Sequence, residues 1–401
     1  MLTIGLMKNT VQKYAWGSTS AIQALLGDTD LAHEPAAELW MGAHPKAPSL
    51  VRYKGQWMSL TDLIARQPQA ILGSGVAEKF NHQLPYLFKV LAAVKPLSIQ
   101  AHPGLEQARQ GFENENKKGI PLNAAHRNYK DPNHKPECIC ALSAFWALYG
   151  FRKISDILLL MGSTCPVALE NELEQLKTDS DAGGLKLFFT KLMTMAFKQR
   201  KQVIDEVTRQ VQQRREENPA YDWTARLAAE YPDDIGLLAP LYLNLIRLNP
   251  GQALFLPAGE LHAYLEGTGI ELMANSDNVL RGGLTPKHID VAELLKVLNF
   301  KPRRVEILQA RHKTATEKIY VTPAEEFTLS AISVSAGFDY HASDTPGAEI
   351  LLCIEGEGRL EDDGSHVGVH IKKGDSAIIS AATGSYSLKG EGAFYKAAVP
   401  V

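Results

Sequence analysis

The sequence predicts a mainly β protein with an α-helical insertion, organised as two β-barrels and one helical domain. Three observations predict this class. Residues 1–150 mix short apolar strand-like runs with helical patterns, and residues 151–235 are rich in Leu, Lys, Gln and Glu. From about residue 320, short β-rich runs alternate with Gly and Asp turns. We therefore expect strands, a helical insertion, further strands and a separate β domain.

The composition is typical of a globular protein of more than one domain. The chain has 401 residues, which at ~100–200 residues per domain suggests two or three domains. Its 42 basic and 45 acidic residues leave a formal net charge of -3, which argues against a general nucleic-acid binder. The four cysteines form no CxxC pair and lie in apolar stretches of the sequence. This pattern indicates buried thiols in a reducing compartment.

Neither a targeting segment nor a membrane span is predicted. The first residues have no sustained apolar core and no signal-type cleavage pattern. The longest apolar run covers residues 138–151 and is shorter than the ~18 residues that a spanning helix needs. We therefore expect a cytoplasmic protein.

Local patterns predict individual elements along residues 1–150. Apolar residues at helical spacing indicate a helix over residues 59–72, with Thr61 as a candidate N-terminal cap. The apolar run over residues 84–99 is broken only by prolines and fits buried strands. The polar stretch over residues 104–118 favours another helix.

The clearest element of the insertion is an amphipathic helix. Its apolar side chains recur at i, i+3, i+4 and i+7, at Leu185, Phe188, Phe189, Leu192, Met195 and Ala196. Because such a stripe normally faces a protein core, we assign it to packing rather than to a cofactor.

Strand and turn signals return after the insertion. They predict a strand over residues 252–256, a turn at Pro257–Gly259 and a helix over residues 291–298 that begins near Asp290. Further strands are predicted over residues 327–334, 349–354, 367–371 and 376–379. The expected domains are a first barrel from residues 1–150 and 236–316, a helical insertion of residues 151–235, and a second barrel of residues 317–401.

One strand–turn–strand segment carries a candidate metal ligand. Gly251, Pro257, Gly259 and His262 are spaced as Gly-x5-Pro-x-Gly-x2-His. This spacing resembles the second sequence motif of the cupin superfamily, whose small β-barrels hold a metal between strands. The alternative is a hairpin with a satisfied core histidine.

Three further side chains complete a candidate metal site. Gln100 and His102 are two residues apart, so in a strand both would point to the same side. Glu137 follows in the segment HKPE. Two imidazoles, a carboxylate and an amide oxygen suit Zn²⁺, with water or substrate completing a catalytic shell, although Mn, Fe or Co also fit such ligands.

Longer segments resemble one family closely. These are YAWG at residues 14–17, AELWMGAHP at 37–45, IQAHP at 99–103, HKPE at 134–137 and PAGELHAYLEGTGIELMANSDNVLRGGLTPKHID at 257–290. Together they resemble the type I mannose-6-phosphate isomerase (phosphomannose isomerase) family over most of the chain.

The resemblance implies a zinc enzyme, with one Zn²⁺ per chain and no organic cofactor, that interconverts mannose 6-phosphate and fructose 6-phosphate. It places the zinc ligands at Gln100, His102, Glu137 and His262. The essential arginine of the family falls on Arg281, and its other active-site positions fall on Trp16, Lys89, Ser98, Lys135, Glu271 and Lys287.

Aldose–ketose isomerisation opens the sugar ring and moves a proton between C2 and C1 through an enediol. A metal and a fixed cation can share the negative charge that develops on the enediol oxygens. Arg281 suits the second role because a guanidinium stays protonated.

Glu271 is a candidate base for the C2 proton, but it lies nine residues after His262 and needs the Gly267–Gly269 turn to bring it to the same face. His134 and Lys135 are rival proton carriers, and a structural ion pair is the alternative role for Glu271.

The phosphate needs cations and hydroxyl donors. Lys287, Lys89 and Ser98 are the candidates, since the chain has no Gly-rich phosphate loop; solvated surface positions are the alternative for both lysines. Trp16 is expected either to form a wall of the pocket or to belong to the core.

The C-terminal region retains the outline of a cupin barrel without its metal ligands. Ser343 and Thr345 replace the two histidines of the first motif, and Ser385 replaces that of the second. We expect a structural barrel without metal, with sugar or partner binding as the alternative.

Two other functions remain open from the residues. A cupin oxygenase would use Fe with open coordination positions, and a sugar-phosphate binding protein would need only the pocket. The cations and the four-ligand set favour the isomerase, although activity on other sugar phosphates such as glucose 6-phosphate stays open. The expected partner is a small sugar phosphate, with no nucleic acid or membrane, and the family resemblance implies a monomer.

Overall fold

Two β-sheets and a group of helices form the protein. A computed structural model describes residues 1–27, 34–165, 167–342 and 347–400. Each sheet has eleven strands within these ranges, and the helices between residues 154 and 230 form the insertion that the sequence predicts.

The first part of the chain contains β1 (Ile4–Lys8), β2 (Thr10–Gln12), α1 (Ala21–Leu26), β3 (Glu38–Gly42), β4 (Leu50–Tyr53), β5 (Gln56–Ser59), α2 (Leu60–Arg66), α3 (Pro68–Leu72), α4 (Ser74–Lys79), β6 (Tyr86–Ala93), β7 (Ile99–Ala101), α5 (Leu105–Lys117), β8 (Glu137–Ala141) and β9 (Phe145–Phe151). The helical insertion contains α6 (Ile154–Thr164), α7 (Glu170–Thr178), α8 (Ala182–Met193), α9 (Phe197–Gln213), α10 (Pro219–Glu230) and, after a 3₁₀ turn, α11 (Ala239–Tyr242).

The chain continues with β10 (Leu243–Leu248), β11 (Gln252–Leu256), β12 (His262–Ala274), β13 (Leu280–Gly283), α12 (Val291–Val297), β14 (Leu308–Gln309), β15 (Arg311–His312), β16 (Glu317–Tyr320), β17 (Thr328–Val334), β18 (Tyr340–Ala342), β19 (Glu349–Asp362), β20 (Gly368–Lys372), β21 (Ser376–Ile379) and β22 (Tyr386–Ala398). None of the helices in the described ranges is long and apolar enough to span a bilayer.

The central sheet has the strand order β14-β11-β8-β12-β6-β3-β2, and β7, β9, β10 and β13 attach beside β12. β12 is its longest strand and pairs with β6, β7, β8 and β9. Because β12 contacts four other strands, it brings together residues that lie far apart in the sequence.

The C-terminal sheet has the order β15-β16-β17-β22-β19-β21-β1-β4-β5, with β18 and β20 at its sides. Its β1, β4 and β5 come from the start of the chain, and Ile4 in β1 lies opposite Ile379 in β21. This exchange was not predicted, because strand patterning does not specify a partner 375 residues away. Tyr86 of β6 forms hydrogen bonds between the two sheets. Its hydroxyl lies 3.0 Å from the Ala348 carbonyl oxygen and 3.2 Å from that of Ala397.

The helical insertion packs on the central sheet through aromatic side chains. The rings of Phe151 in β9 and Phe189 in α8 meet edge to face with centroids 5.5 Å apart. The stripe of α8 is buried at Leu185, Phe188, Phe189 and Leu192, which confirms the packing role predicted for these residues. The last two predicted positions are wrong: Met195 and Ala196 lie beyond the end of α8, and Ala196 is exposed.

Several local predictions hold, and two are wrong. β11 and α12 occur where expected, and the Asp290 side chain accepts a hydrogen bond from the Glu293 backbone. Thr61 is not a helix cap: it lies inside α2, which follows Ser59. The predicted single helix ends before Pro68, because proline lacks the N–H that a continuous helix needs. Ser343 and Thr345, from the predicted second barrel, lie outside the described residues.

Candidate metal centre and active site

Register across the central sheet gathers charged side chains on one face. Residues directly opposite each other in paired strands point to the same side. Trp40 lies opposite Lys89, and Lys89 lies opposite Glu271. Glu271 in turn lies opposite Ile139, two residues beyond Glu137 on β8. The face defined by these residues is therefore the inner wall of a polar site.

His102, Glu137 and His262 meet at one end of this face. The His102 Nε2 lies 3.2 Å from the Glu137 Oε1, and the His262 Nε2 lies 3.5 Å from the Glu137 Oε2. One ligand atom from each residue lies within 4.8 Å of the other two, and all three residues are buried. We call them the metal triad.

Backbone carbonyls orient both imidazoles of the triad. The Nδ1 of His102 lies 2.7 Å from the Asn278 oxygen, and the Nδ1 of His262 lies 3.0 Å from the Glu260 oxygen. A carbonyl can only accept, so each Nδ1 carries the proton and donates it. This tautomer leaves a lone pair on each Nε2, which is the arrangement of a metal-binding histidine with an outer partner.

The triad has the unsatisfied atoms that a bound cation would satisfy. Within the described residues, the Nε2 atoms of His102 and His262 are buried and make no hydrogen bond of acceptable geometry. The buried Oε1 of Glu137 is contacted by the Lys135 ammonium. Burial, helped by Lys135, lowers the pKa of His102 to about 4, so the ring is neutral near pH 7. Burial opposes the charge of Glu137, but its polar surroundings, of which the Lys135 ammonium is the strongest, hold its pKa well below the usual value. A neutral imidazole and a carboxylate are the forms that bind metal, so these residues fit Zn²⁺.

Gln100 lies beside the triad by strand register. It is opposite His262 across the β7–β12 pair and opposite Arg281 across the β7–β13 pair. Because β7 lies between β12 and β13, Gln100 lies between His262 and Arg281. The predicted fourth ligand is therefore adjacent to the predicted metal site.

Lys89 is held between two buried carboxylates. Its Nζ lies 2.8 Å from the Glu271 Oε2 and 3.4 Å from the Glu38 Oε1. Burial opposes the charge on Lys89, but Glu271 and Glu38 outweigh it and raise its pKa above the ordinary value. Burial also raises the pKa of Glu271, against the pull of Lys89. The lysine is thus a permanent cation whose charge is already balanced.

Glu271 reaches the same site as His262, but not through a turn. The predicted turn at Gly267–Gly269 is wrong, because β12 runs without interruption from His262 to Ala274. A register shift lies between Tyr264 and Glu266, and Gly267 has φ of 132°, a value that favours glycine. A β-bulge therefore supplies the change of face, since one extra residue in a strand reverses the alternation.

Tyr264 is a site residue that sequence reasoning missed. Its hydroxyl is buried, donates to the Glu137 Oε2 at 3.4 Å and also interacts with Glu271. Burial, with Glu137 next, raises its pKa well above 10, so the phenol stays protonated. It lies two residues after His262, a spacing on one strand that could have identified it.

Arg281 lies half-buried at the edge of the site. Burial lowers its pKa, and no carboxylate among the described residues forms an ion pair with its guanidinium. Lys287 lies nearby and is largely exposed. Partial burial of its ammonium, followed by the charges of Arg281, Lys130 and Lys46, lowers its pKa. These four residues form a cationic rim beside the metal triad. Sequence reasoning missed Lys46 and Lys130, which carry no local signal.

The remaining predicted residues separate into two groups. Lys135 lies in the site, with its Nζ 2.8 Å from the Glu137 Oε1. Ser98 is partly buried and directly precedes Ile99, which lies opposite Gly283 beside Arg281. His134 instead contacts Glu326 of the C-terminal region at 2.6 Å.

Trp16 packs at the margin of the site. It contacts the apolar cluster that contains Leu91 and Tyr264, and its ring stacks on Tyr14 with centroids 5.6 Å apart.

A hydrogen-bonded loop supports the His102 side of the triad. Asn278 is fully buried, and its side-chain amide donates to the carbonyl oxygens of Asp131 and Asn133 at 2.7 and 2.8 Å. Its own carbonyl receives the His102 proton. Sequence reasoning missed this supporting residue, although it lies within the long segment that carries the family resemblance.

The sheet fold and the buried triad define a class: a cupin-type protein with a two-histidine, one-carboxylate centre able to hold a divalent metal. Comparisons with known proteins narrow the class. The chain matches the family descriptions "Phosphomannose isomerase type I, catalytic domain" at residues 5–154, "Phosphomannose isomerase type I, helical insertion domain" at 161–243 and "Mannose-6-phosphate isomerase, cupin domain" at 316–398. The chain belongs to the type I phosphomannose isomerase family.

Whole-length relatives support this assignment. Mannose-6-phosphate isomerase of Salmonella typhimurium is 41% identical over 392 residues, with 96% of each chain covered. The Homo sapiens enzyme is 35% identical, covering 94% of this chain and 93% of the relative. The Salmonella typhimurium structure bound to fructose 6-phosphate and zinc is 37% identical, with a TM-score of 0.91 and complete coverage of both chains.

Proposed function

We propose that this protein is a zinc-dependent mannose-6-phosphate isomerase, which interconverts mannose 6-phosphate and fructose 6-phosphate through an enediol. The observation that carries the proposal is the metal triad, in which the buried Nε2 atoms of both histidines lack hydrogen bonds within the described residues. It occurs in a chain that aligns from end to end with zinc- and fructose 6-phosphate-bound relatives.

His102, Glu137 and His262 would hold the zinc, and the register of Gln100 beside His262 supports it as the fourth ligand. Zinc, when bound, supplies a Lewis acid that polarises the sugar carbonyl and hydroxyl oxygens. Asn278 and Glu260 keep the two imidazoles in the binding tautomer through their carbonyls.

Arg281 stabilises the negative charge that develops on the enediol oxygens. Its guanidinium has no carboxylate partner in the described ranges and is half-buried, so its charge acts on a ligand with little screening. Its neighbour on β7, Gln100, links it to the metal site by register.

Two groups remain as carriers of the C2 proton. Glu271 is buried beside the triad, and burial raises its pKa toward the range of a general base. Lys135 is the rival, because its ammonium contacts Glu137 and can move a proton at the sugar oxygens during ring opening. The contact of His134 with Glu326 favours a structural role for that histidine, at the junction with the C-terminal region.

The cationic rim receives the phosphate. Lys287 lies within the field of Arg281, Lys130 and Lys46, an arrangement that attracts a dianion. Ser98 offers a hydroxyl on the strand edge next to Arg281.

Lys89 and Trp16 have supporting roles. Because the charge of Lys89 is balanced by Glu271 and Glu38, it positions those carboxylates rather than binding the phosphate. Trp16 forms part of the pocket wall, since it packs against the cluster that contains Tyr264.

The domain and cellular assignments extend this proposal. The catalytic unit comprises residues 1–150 and 236–316, the insertion residues 151–235 and the second barrel residues 317–401, with β1, β4 and β5 crossing into the C-terminal sheet. The protein acts as a cytoplasmic monomer on a small sugar phosphate, without nucleic acid or membrane as partner. Free, buried thiols at all four cysteines agree with a reducing compartment.

The test couples fructose 6-phosphate formation from mannose 6-phosphate to a reporter enzyme. Activity should disappear when a chelator removes the metal, return with Zn²⁺ and be absent from His262→Ala. The matched control is His312→Ala, which removes an exposed histidine of β15 and should keep both activity and bound zinc. Zinc-loaded wild type that does not turn over would refute the isomerase, and oxygen consumption by the iron-loaded protein would support an oxygenase instead.

A further inference from the structure

A second polar cluster lies inside the C-terminal sheet, away from the metal triad. Ser330 lies opposite Lys396 across the β17–β22 pair, and Lys396 lies opposite Leu351 on β19. These residues share one face with Glu349, two residues before Leu351. Leu351 belongs to an apolar core cluster, so the polar cluster lies on the face of the sheet that packs against this core.

Lys396 is the centre of the cluster. Its Nζ donates to the Tyr340 hydroxyl at 2.6 Å and lies 3.1 Å from the Glu317 Oε1 and 3.4 Å from the Glu349 Oε1. The Tyr386 hydroxyl donates to the other oxygen of Glu349. Although burial disfavours the charge, Glu349 and then Tyr340 and Glu317 raise the pKa of Lys396 above its ordinary value, so the ammonium stays charged.

The cluster borders a cavity of about 490 Å³, within the ~300–1,000 Å³ range of small-molecule sites. Its wall contains both polar and apolar side chains, the lining residues being Lys313, Thr314, Glu317, Ile319, Thr328, Ser330, Tyr340, His341, Ala342, Glu349, Lys396, Ala398, Val399 and Pro400.

One polar group in this wall is poorly satisfied. Ser330 is 1% exposed, and its hydroxyl interacts with Glu317 but makes no hydrogen bond of acceptable geometry within the described part of the chain. A buried hydroxyl without a well-formed hydrogen bond is costly, by ~1–3 kcal/mol. Since Ser330 lines the cavity beside Glu317, a bound hydroxyl group would satisfy it.

The charges of the wall favour an uncharged ligand. Its two lysines balance its two glutamates, and the Lys396 ammonium already lies between both carboxylates. A metal cation would compete with that ammonium for the same oxygens, and an anion would face the carboxylates. A neutral molecule with several hydroxyls can donate to Glu317 and Glu349 and accept from Lys396 or Ser330, while its C–H faces contact Ile319 and Ala398.

We propose that this cavity binds a neutral polyhydroxylated molecule of monosaccharide size, at a site independent of the metal triad. This role goes beyond the proposed isomerase function and does not depend on it.

The experiment titrates the zinc-loaded full-length protein with uncharged probes, D-mannose, D-fructose and D-mannitol, by isothermal titration calorimetry. At least one probe should bind wild type. Ser330→Ala should weaken it about tenfold, the equivalent of one lost hydrogen bond of ~1.4 kcal/mol, and Ala398→Leu should abolish it by filling the cavity. His262→Ala should leave binding unchanged, because that residue belongs to the other site.

The outcomes separate the explanations. No binding of any uncharged probe to wild type would overturn the proposal and leave a solvent-filled cavity. Binding lost in His262→Ala but kept in Ala398→Leu would assign the sugar to the metal site. Should Ala398→Leu lower the melting temperature, Ser330→Ala decides alone, since it removes one oxygen and adds no bulk.

Discussion

Replacing Lys89 by methionine should destabilise the protein strongly, because it leaves two buried carboxylates without their cation. Glu271 is 3% exposed and Glu38 8%, and the Lys89 Nζ is 2.8 and 3.4 Å from their oxygens. At an effective dielectric constant of ~20, these separations correspond to Coulomb energies of about 6 and 5 kcal/mol. Much of this Coulomb attraction offsets the cost of removing the three ions from water. We therefore expect Lys89→Met to lower the free energy of unfolding by about 3–5 kcal/mol.

The loss should depend on pH. Burial already raises the pKa of Glu271, and removing Lys89 raises it further. When the pKa of a carboxyl group is higher in the folded than in the unfolded protein, the folded state binds more protons at pH values between the two. The free energy of unfolding therefore falls as the pH rises from the unfolded-state pKa toward the folded-state pKa. Lys89→Met should therefore be destabilised more at pH 8 than at pH 5.

Urea unfolding of chelator-treated protein, followed by tryptophan fluorescence at both pH values, measures this effect. Lys198→Met removes an exposed lysine of α9 and should change stability by less than ~0.5 kcal/mol. The double variant Lys89→Met, Glu271→Gln should recover part of the loss because one unpaired charge is removed. A loss for Lys89→Met below ~1 kcal/mol at pH 8, or an equal loss at both pH values, would refute the buried ion-pair argument.

Three further measurements test the site and the core. Arg281→Met should lower kcat about 100- to 1,000-fold, as for loss of one oxyanion donor, with KM and zinc content nearly unchanged; an unaltered kcat would contradict its role in charge stabilisation. Lys287→Ala should raise KM for the sugar phosphate about tenfold with little change in kcat, because it removes one charge-assisted contact, and a fall confined to kcat would place it elsewhere. Burial raises the pKa of Cys165 to about 12 and that of Cys353 to about 12, so a thiol reagent at pH 8 should label neither in folded protein and both in denaturant. Their reactivity should rise with pH toward those values; rapid labelling of native protein at pH 8 would show that the thiols are accessible.

Local patterns predicted the strand and turn that lead to His262. The strand over residues 252–256 and the turn after it occur as expected, and His262 begins the next strand. The helical insertion and the burial of the α8 stripe also follow from spacing. These features depend on residues within a few positions of each other, where backbone periodicity and turn chemistry act directly.

Predictions about single side chains were less complete. The alternation rule correctly showed that Glu271 needs a change of face, but the change comes from a bulge near Gly267 rather than a turn. His134 is adjacent to Lys135 in sequence, yet it contacts Glu326 while Lys135 contacts Glu137. Neighbouring residues in extended backbone point to different surroundings, and only the packed structure shows what those surroundings contain.

The sequence by itself determined the mainly β class, the helical insertion and the strand–turn–strand segment that carries His262, because each depends on short-range spacing. The tertiary structure alone decided that β1 pairs with β21 and that Lys89 lies between Glu271 and Glu38. Both depend on contacts between distant segments. The partner of a strand and the charge environment of a buried lysine are set by whichever groups packing brings within a few ångströms, and no local pattern records them.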